Sequence, residues 1–171
     1  MPEAPNQADV EEYGAPPQIT PEGLGDYLDV MSKSVFQSGM SWKVVAAKWD
    51  TTREAFHDFD VERVASMSEA EVDALAQDTR VIRNRRKLNA VVSNAARLLE
   101  LDAEHDGFRN YLQSQDDFDA TVKMMKKDFK FLGDMGTYVM LYVVGEPVPS
   151  HDDWTASQEE RRSKQASRSR K

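Results

Sequence analysis

The sequence predicts an all-α fold, a compact bundle of about eight short helices. Three observations point there. From Pro21 onward apolar residues recur at helical spacing, and no alternating strand pattern persists. Breaks at Ser38-Gly39, Asp106-Gly107 and Gly145-Glu146-Pro147 separate the apolar runs. At 171 residues and 40% hydrophobic, the chain can build one real core.

Each element follows in order. Leu24, Tyr27, Leu28, Met31 and Val35 share one face of a first helix, which Ser38-Gly39 ends. Ser41 opens a second helix with Trp42, Val44, Val45 and Ala46. Thr51-Thr52-Arg53-Glu54 starts a short helix ending near Phe56, and Asp60 starts another through Val61, Val64 and Ala65. Ser68-Glu69-Ala70-Glu71 is a capping box, in which hydroxyl and carboxylate each satisfy a free backbone N–H. The strongest helix runs from about Asn84 to Glu100, with Leu88, Val91, Val92, Ala95 and Leu99 as its stripe. Shorter helices cover roughly 108–112 and 117–126, and Gly133-Asp134-Met135-Gly136 turns into a last apolar helix to about Val144. Trp49, Phe56, Phe59, Phe129 and Phe131 are the expected aromatic core.

Composition sets limits on function. Cysteine is absent, which excludes disulfides, thiolate nucleophiles and Cys-ligated zinc or iron–sulfur sites. His57, His105 and His151 have no metal-ligand spacing, so no metal and no cofactor is expected. No apolar run reaches the length of a membrane span and the first residues do not read as a signal peptide, so a cytoplasmic protein, without membrane contact and monomeric, is expected. Residues 1–20 form an acidic, proline-rich arm expected to be disordered. Residues 21–154 form the folded domain. Residues 155–171 hold six bases and two acids and read as a disordered basic tail, either solubilising or supplying a phosphate contact. Residues 27–154 carry 16 bases against 22 acids, so whole-body attraction to nucleic acid is not indicated. Arg83, Arg85, Arg86 and Lys87 crowd a helix N-terminus, which is already positive in character and calls for a nearby acid or a phosphate.

Four segments, in order, resemble the 3-methyladenine DNA glycosylase I family. They are Gln37-Ser38-Gly39-Met40-Ser41-Trp42, Ala55 to Asp60 with Val64-Ala65, Asp78 to Leu88 with Ala90 and Asn94-Ala95, and Phe129-Lys130-Phe131-Leu132-Gly133. The resemblance covers some 60% of the chain, from about Tyr27 to Gly133. It implies a helix-hairpin-helix fold, a partner that is double-stranded DNA with an alkylated base, base flipping, and hydrolysis of an N-glycosidic bond. A cationic N3-alkylated adenine is a good leaving group without protonation, so selectivity rests on the pocket. Leu132-Gly133-Asp134-Met135-Gly136 resembles the superfamily hairpin, in which N–H groups such as those of Gly133 and Gly136 hold a phosphate. Arg83, Arg85 and Lys87 are further candidates for the DNA backbone, or for pairing with local acids.

The resemblance places Trp42, Gln37 and Ser34 at the base pocket and Met40 as a wedge in the vacated base stack. Core packing is the competing role of Trp42 and Met40. The sequence differs from the family at three points. Ser34 stands eight residues before Trp42, where the family has a base-recognising Glu; the nearest upstream acid, Asp29, is assigned to another helix face. The family's N-terminal aromatic segment has only Tyr13 as an echo, and its zinc site needs cysteines that are missing. The superfamily's catalytic Asp falls on Pro149, leaving Asp152 and Asp153 as the catalytic candidates, with helix capping as their alternative. A non-catalytic or differently specific DNA-binding relative is the second functional reading.

Overall fold

The computed structural model describes residues 16–169, and the expected arm up to residue 15 lies outside them. The described residues form ten α-helices and one 3-10 turn, with no strand. In chain order these are α1 Leu24–Gln37, α2 Trp42–Ala47, α3 Trp49–Ala55, the 3-10 turn His57–Phe59, α4 Val61–Ala65, α5 Glu69–Leu75, α6 Arg85–Glu104, α7 Phe108–Leu112, α8 Phe118–Asp128, α9 Asp134–Val143 and α10 His151–Ser169.

Side-chain caps explain four of the helix starts. Asp60, Asn84 and Asp117 each accept the N–H three residues ahead, and Ser68 with Glu71 closes the capping box. Ser41 sits at the N-cap of α2, but its hydroxyl makes no capping bond. Gly39 ends α1 at φ 72°, a conformation that favours glycine, and so turns the chain before Trp42. Gly25 is required for a different reason: a Cβ there would meet the Phe59 carbonyl oxygen at 2.9 Å.

The 20-residue α6 packs on α4 and α1, and α9 packs on α1 and α8. Trp49 stacks on Phe59 and Phe59 on Phe56, each at 5.6 Å. Phe108, Tyr111 and Phe129 form a second aromatic cluster. Phe131 departs from its expected core place. It is 38% exposed at φ 59°, beneath the Arg86 guanidinium at 5.8 Å.

Both ends of the domain differ from expectation. Residues 16–20, expected in the disordered arm, lie across the end of α9, whose last carbonyls have no partner within the helix. Gln18 Nε2 donates to the Tyr142 carbonyl at 2.9 Å, and Ile19 N–H to that of Val143 at 2.8 Å. Residues 155–169, expected as a disordered tail, continue α10. The cause is Trp154: buried, it packs on Tyr138 at 4.6 Å and anchors the helix, while Arg161 pairs with Asp119 of α8. Charge composition registers neither contact.

Candidate functional site

The C-terminal half of α1, the loop 38–41 and the start of α9 enclose two adjoining spaces. An open cleft of about 630 Å³ lies between the loop and the turn into α9, with Met40, Gly133, Asp134 and Gly136 in its walls. A second cleft of about 370 Å³ adjoins it, walled by Trp42 of α2, Trp49 of α3, Val143 of α9 and the strap Pro16, Pro17 and Ile19. Ser34, Gln37, Trp42 and Val139 line both. Trp42 is only half-buried, which distinguishes it from Trp49, 4% exposed.

The predicted pocket residues Ser34, Gln37, Trp42 and Met40 thus meet, and Gly133 and Gly136 face them across the cleft. Gly136 brings α9 close to α1: a Cβ there would touch that of Ser34 at 3.5 Å. Ser34 is 3% exposed, yet its hydroxyl has no hydrogen-bond partner among the described residues. Gln37, half-buried, has none for its amide.

The basic cluster divides. Arg83 is exposed and makes no ion pair among the described residues. Arg85 pairs with Asp73. Lys87 does not reach the surface: it is 5% exposed, and its ammonium donates to the carbonyls of Phe36, at 3.1 Å, and Ser38. It therefore ties down the end of α1 and the loop before Trp42 rather than a phosphate. Burial pushes its ammonium below the usual lysine range. Asp152 and Asp153 are corrected too. Both are exposed in the first turn of α10, where acids suit the helix dipole, and neither lines either cleft.

Three residues of the second cleft escape the sequence reading. Asp29 lines it, accepting from Trp49 Nε1 at 2.7 Å and Arg53 Nε at 2.8 Å, so both its oxygens are engaged. That bond from Asp29 holds the Arg53 guanidinium above its ordinary value, against burial. Lys33 lines the same cleft without an ion-pair or hydrogen-bond partner among the described residues, and burial pushes its ammonium below the usual range. The signal was the i, i+4 spacing of 29, 33 and 37, which puts all three on one face of α1. In the open cleft, Asp134 is held by Lys126 at 2.8 Å, and Arg162 of α10 lines the opposite side. Zinc does not fit this chain: there is no cysteine, and no three His, Asp or Glu residues converge among the described residues.

Trp42, half-buried, stands between two adjoining clefts of an all-helical domain, opposite the N-terminus of α9. The chain belongs to the methyladenine glycosylase family, whose sequence profile matches residues 25–129. It is 38% identical over 78 residues to the DNA-3-methyladenine glycosylase of Haemophilus influenzae, covering 46% of this chain but only 42% of that protein. It is 31% identical over 130 residues to DNA-3-methyladenine glycosylase 1 of Escherichia coli, covering 64% of this chain and 70% of the other. A crystal structure of 3-methyladenine DNA glycosylase I is similar with a TM-score of 0.66 at 28% identity, over 74% of this chain and 81% of that one.

Proposed function

We propose that this chain is a DNA glycosylase of base-excision repair, hydrolysing the N-glycosidic bond of a base flipped out of duplex DNA, with alkylated adenine among its substrates. The observation that carries the reading is the place of Trp42, at the junction of two adjoining clefts. A flipped base crosses the cleft and stacks on the indole, and stacking of this kind contributes about 1–3 kcal/mol toward the few kcal/mol that flipping costs. Water then attacks C1′ and the base departs. Met40 stands at the cleft wall as the wedge. The N–H groups from Gly133 to Gly136, with Arg83 and Arg85 at the surface, hold the phosphates. We read the protein as a cytoplasmic monomer; no helix among the described residues is long and apolar enough to cross a membrane.

The test is single-turnover excision from a duplex with one 3-methyladenine. Wild type releases the base, more slowly than a relative with Glu in place of Ser34. Trp42→Ala loses roughly 1–3 kcal/mol of lesion-specific binding with little loss of stability. Folded wild type that binds the duplex and releases nothing replaces this reading with that of a non-catalytic DNA-binding relative.

A further inference from the structure

A groove of about 640 Å³ lies between α8 and α10 and joins the open cleft at Asp134 and Arg162, which line both. Its α10 wall is Gln158, Arg161, Arg162 and Gln165, spaced three and four apart and so on one face of the helix. Trp154 lies on that face one turn earlier. Its burial against Tyr138, with the Arg161–Asp119 pair, holds the face toward the domain. Beyond Trp154 the face carries no apolar side chain. Four cationic and three anionic side chains line the groove. Asp119 pairs with Arg161, and Asp134 with Lys126 at 2.8 Å. Asp117 caps α8 through the Ala120 N–H at 2.8 Å, where the helix dipole meets its charge. Lys123 and Arg162 are left over: both are exposed, and neither makes an ion pair or hydrogen bond among the described residues. The surplus is small, but its place is telling. Asp134 and Arg162 are the two charged side chains in the wall of the open cleft. Asp134, in the first turn of α9, would by itself repel a phosphate there; Lys126 offsets it, and Arg162 makes the junction positive.

Resting on the glycosylase reading, we infer that the groove between α8 and α10 carries the DNA backbone onward from the cleft, with Arg162 and Lys123 as phosphate contacts. The family profile ends at residue 129, so α10 is an addition of this chain outside the matched segment. A peptide docking by an apolar face finds only Ala120 and Val122 in these walls, whereas a polyanion finds two uncommitted cations. Continuity with the cleft selects DNA among polyanions. A strand leaving the cleft meets Arg162 first, because it lines both spaces, and Lys123 next. Phosphate contacts position a duplex and read no sequence, so α10 strengthens the hold on any DNA without selecting the lesion. The Trp154 anchor and the Arg161–Asp119 pair then act as positioning groups, fixing where Arg162 stands.

The experiment titrates the full chain into a fluorescein-labelled duplex, undamaged or with one 3-methyladenine. Anisotropy is followed over a series of salt concentrations, and single-turnover excision is measured in parallel. Arg162→Gln and Lys123→Gln each lower the slope of log affinity against log salt by about 0.9, the value for one phosphate contact, and weaken both duplexes by the same factor. Arg162→Lys keeps the wild-type slope, since a phosphate needs the charge. Lys164→Gln also keeps it, because that ammonium pairs with Glu160 outside the groove. A wild-type slope in Arg162→Gln overturns the inference. So does an equal fall in Lys164→Gln, which would mean that α10 acts through its diffuse charge alone. Lowered slopes in the groove variants with no excision by wild type sink the glycosylase reading and leave the groove assignment standing. Excision by wild type with the slope unchanged in Arg162→Gln does the reverse.

Discussion

Two polar clusters are partly withdrawn from water in this domain, and they are completed differently. Between α6 and α8, Asp128 accepts from Tyr111 Oη at 2.7 Å and from Arg97 at 2.9 Å, and Arg97 reaches on to Glu100 at 2.8 Å. Burial, together with the bond to Asp128, pushes the Tyr111 hydroxyl far above the tyrosine range. Burial also works against the Asp128 carboxylate, but the bonds from Tyr111 and Arg97 outweigh it and hold it below its ordinary value. On α1, by contrast, the side chains of Ser34, Gln37 and Lys33 line a cleft and make no hydrogen bond or ion pair among the described residues. Most polar groups buried to hold a structure find their partners inside it, Ser32 Oγ and Trp154 Nε1 being exceptions here. One buried to meet a ligand leaves the bond open, and folding bears the cost.

The tryptophans of the same cleft give the sharpest form of the contrast. Trp49 is built into the core by the Phe59 stack and the bond to Asp29. Trp49→Ala should therefore cost roughly 3–5 kcal/mol of stability in chemical denaturation. A loss as small as that expected for Trp42→Ala would erase the distinction between the two rings. Asp128→Ala comes next, at about 2 kcal/mol, because it strands Tyr111 and Arg97 at a site that is partly screened by water. Since the folded carboxyl is held below its unfolded value near 3.9, the stability it contributes is present above that pH. It is lost as pH falls below about 4. The wild type should lose this increment there and the variant should not.

Much of the scaffold was readable in the chain. Cap residues act within one turn, so Asp60, Ser68, Asn84 and Asp117 mark helix starts without tertiary knowledge. The Gln37–Trp42 motif falls on residues that line the cleft beside the start of α9. What escaped depends on distant partners. Nothing local distinguishes Lys87 from the three arginines before it, and only the fold brings it under the Phe36 and Ser38 carbonyls. Trp154 turns a charged tail into a helix because Tyr138 is there to receive it. Asp29 was set aside by counting from Ser34 alone, although its spacing to Lys33 and Gln37 was in view.

Lys87 is where the two kinds of cluster touch, since its satisfied ammonium supports the unsatisfied pocket. Lys87→Met keeps the length of the side chain but leaves two carbonyls without a donor, for roughly 1–3 kcal/mol of stability. Because those carbonyls end α1 and begin the loop to Trp42, excision should fall while DNA binding at low salt is retained. Equal losses in both would return Lys87 to the role of a phosphate contact.

The smallest expected effect is the most discriminating. Ser34 is as buried as any core residue, and a buried hydroxyl in a hydrogen-bond network is costly to remove, by about 1 kcal/mol. Ser34 Oγ has no such network, so Ser34→Ala should change stability by less than roughly 0.5 kcal/mol, and the van der Waals fit against Gly136 is unaltered because the Cβ remains. A destabilisation above about 1 kcal/mol, measured by denaturant melts, would mean that the hydroxyl is structurally bonded and that the comparison between the clusters fails at its central residue. Ser34→Glu extends the same test to chemistry. The new carboxylate must run into the second cleft, since Gly136 blocks the way toward α9, and there it faces Lys33. If the two pair, stability changes little and excision of 3-methyladenine rises, because a charged acceptor beside Trp42 is what a cationic base lacks in the wild type. If excision is unchanged while the protein is destabilised, the carboxylate is buried unpaired and Lys33 does not reach the base side of the cleft. Ser34→Ala read for folding and Ser34→Glu read for excision thus ask one position whether its open bond belongs to the fold or to the ligand.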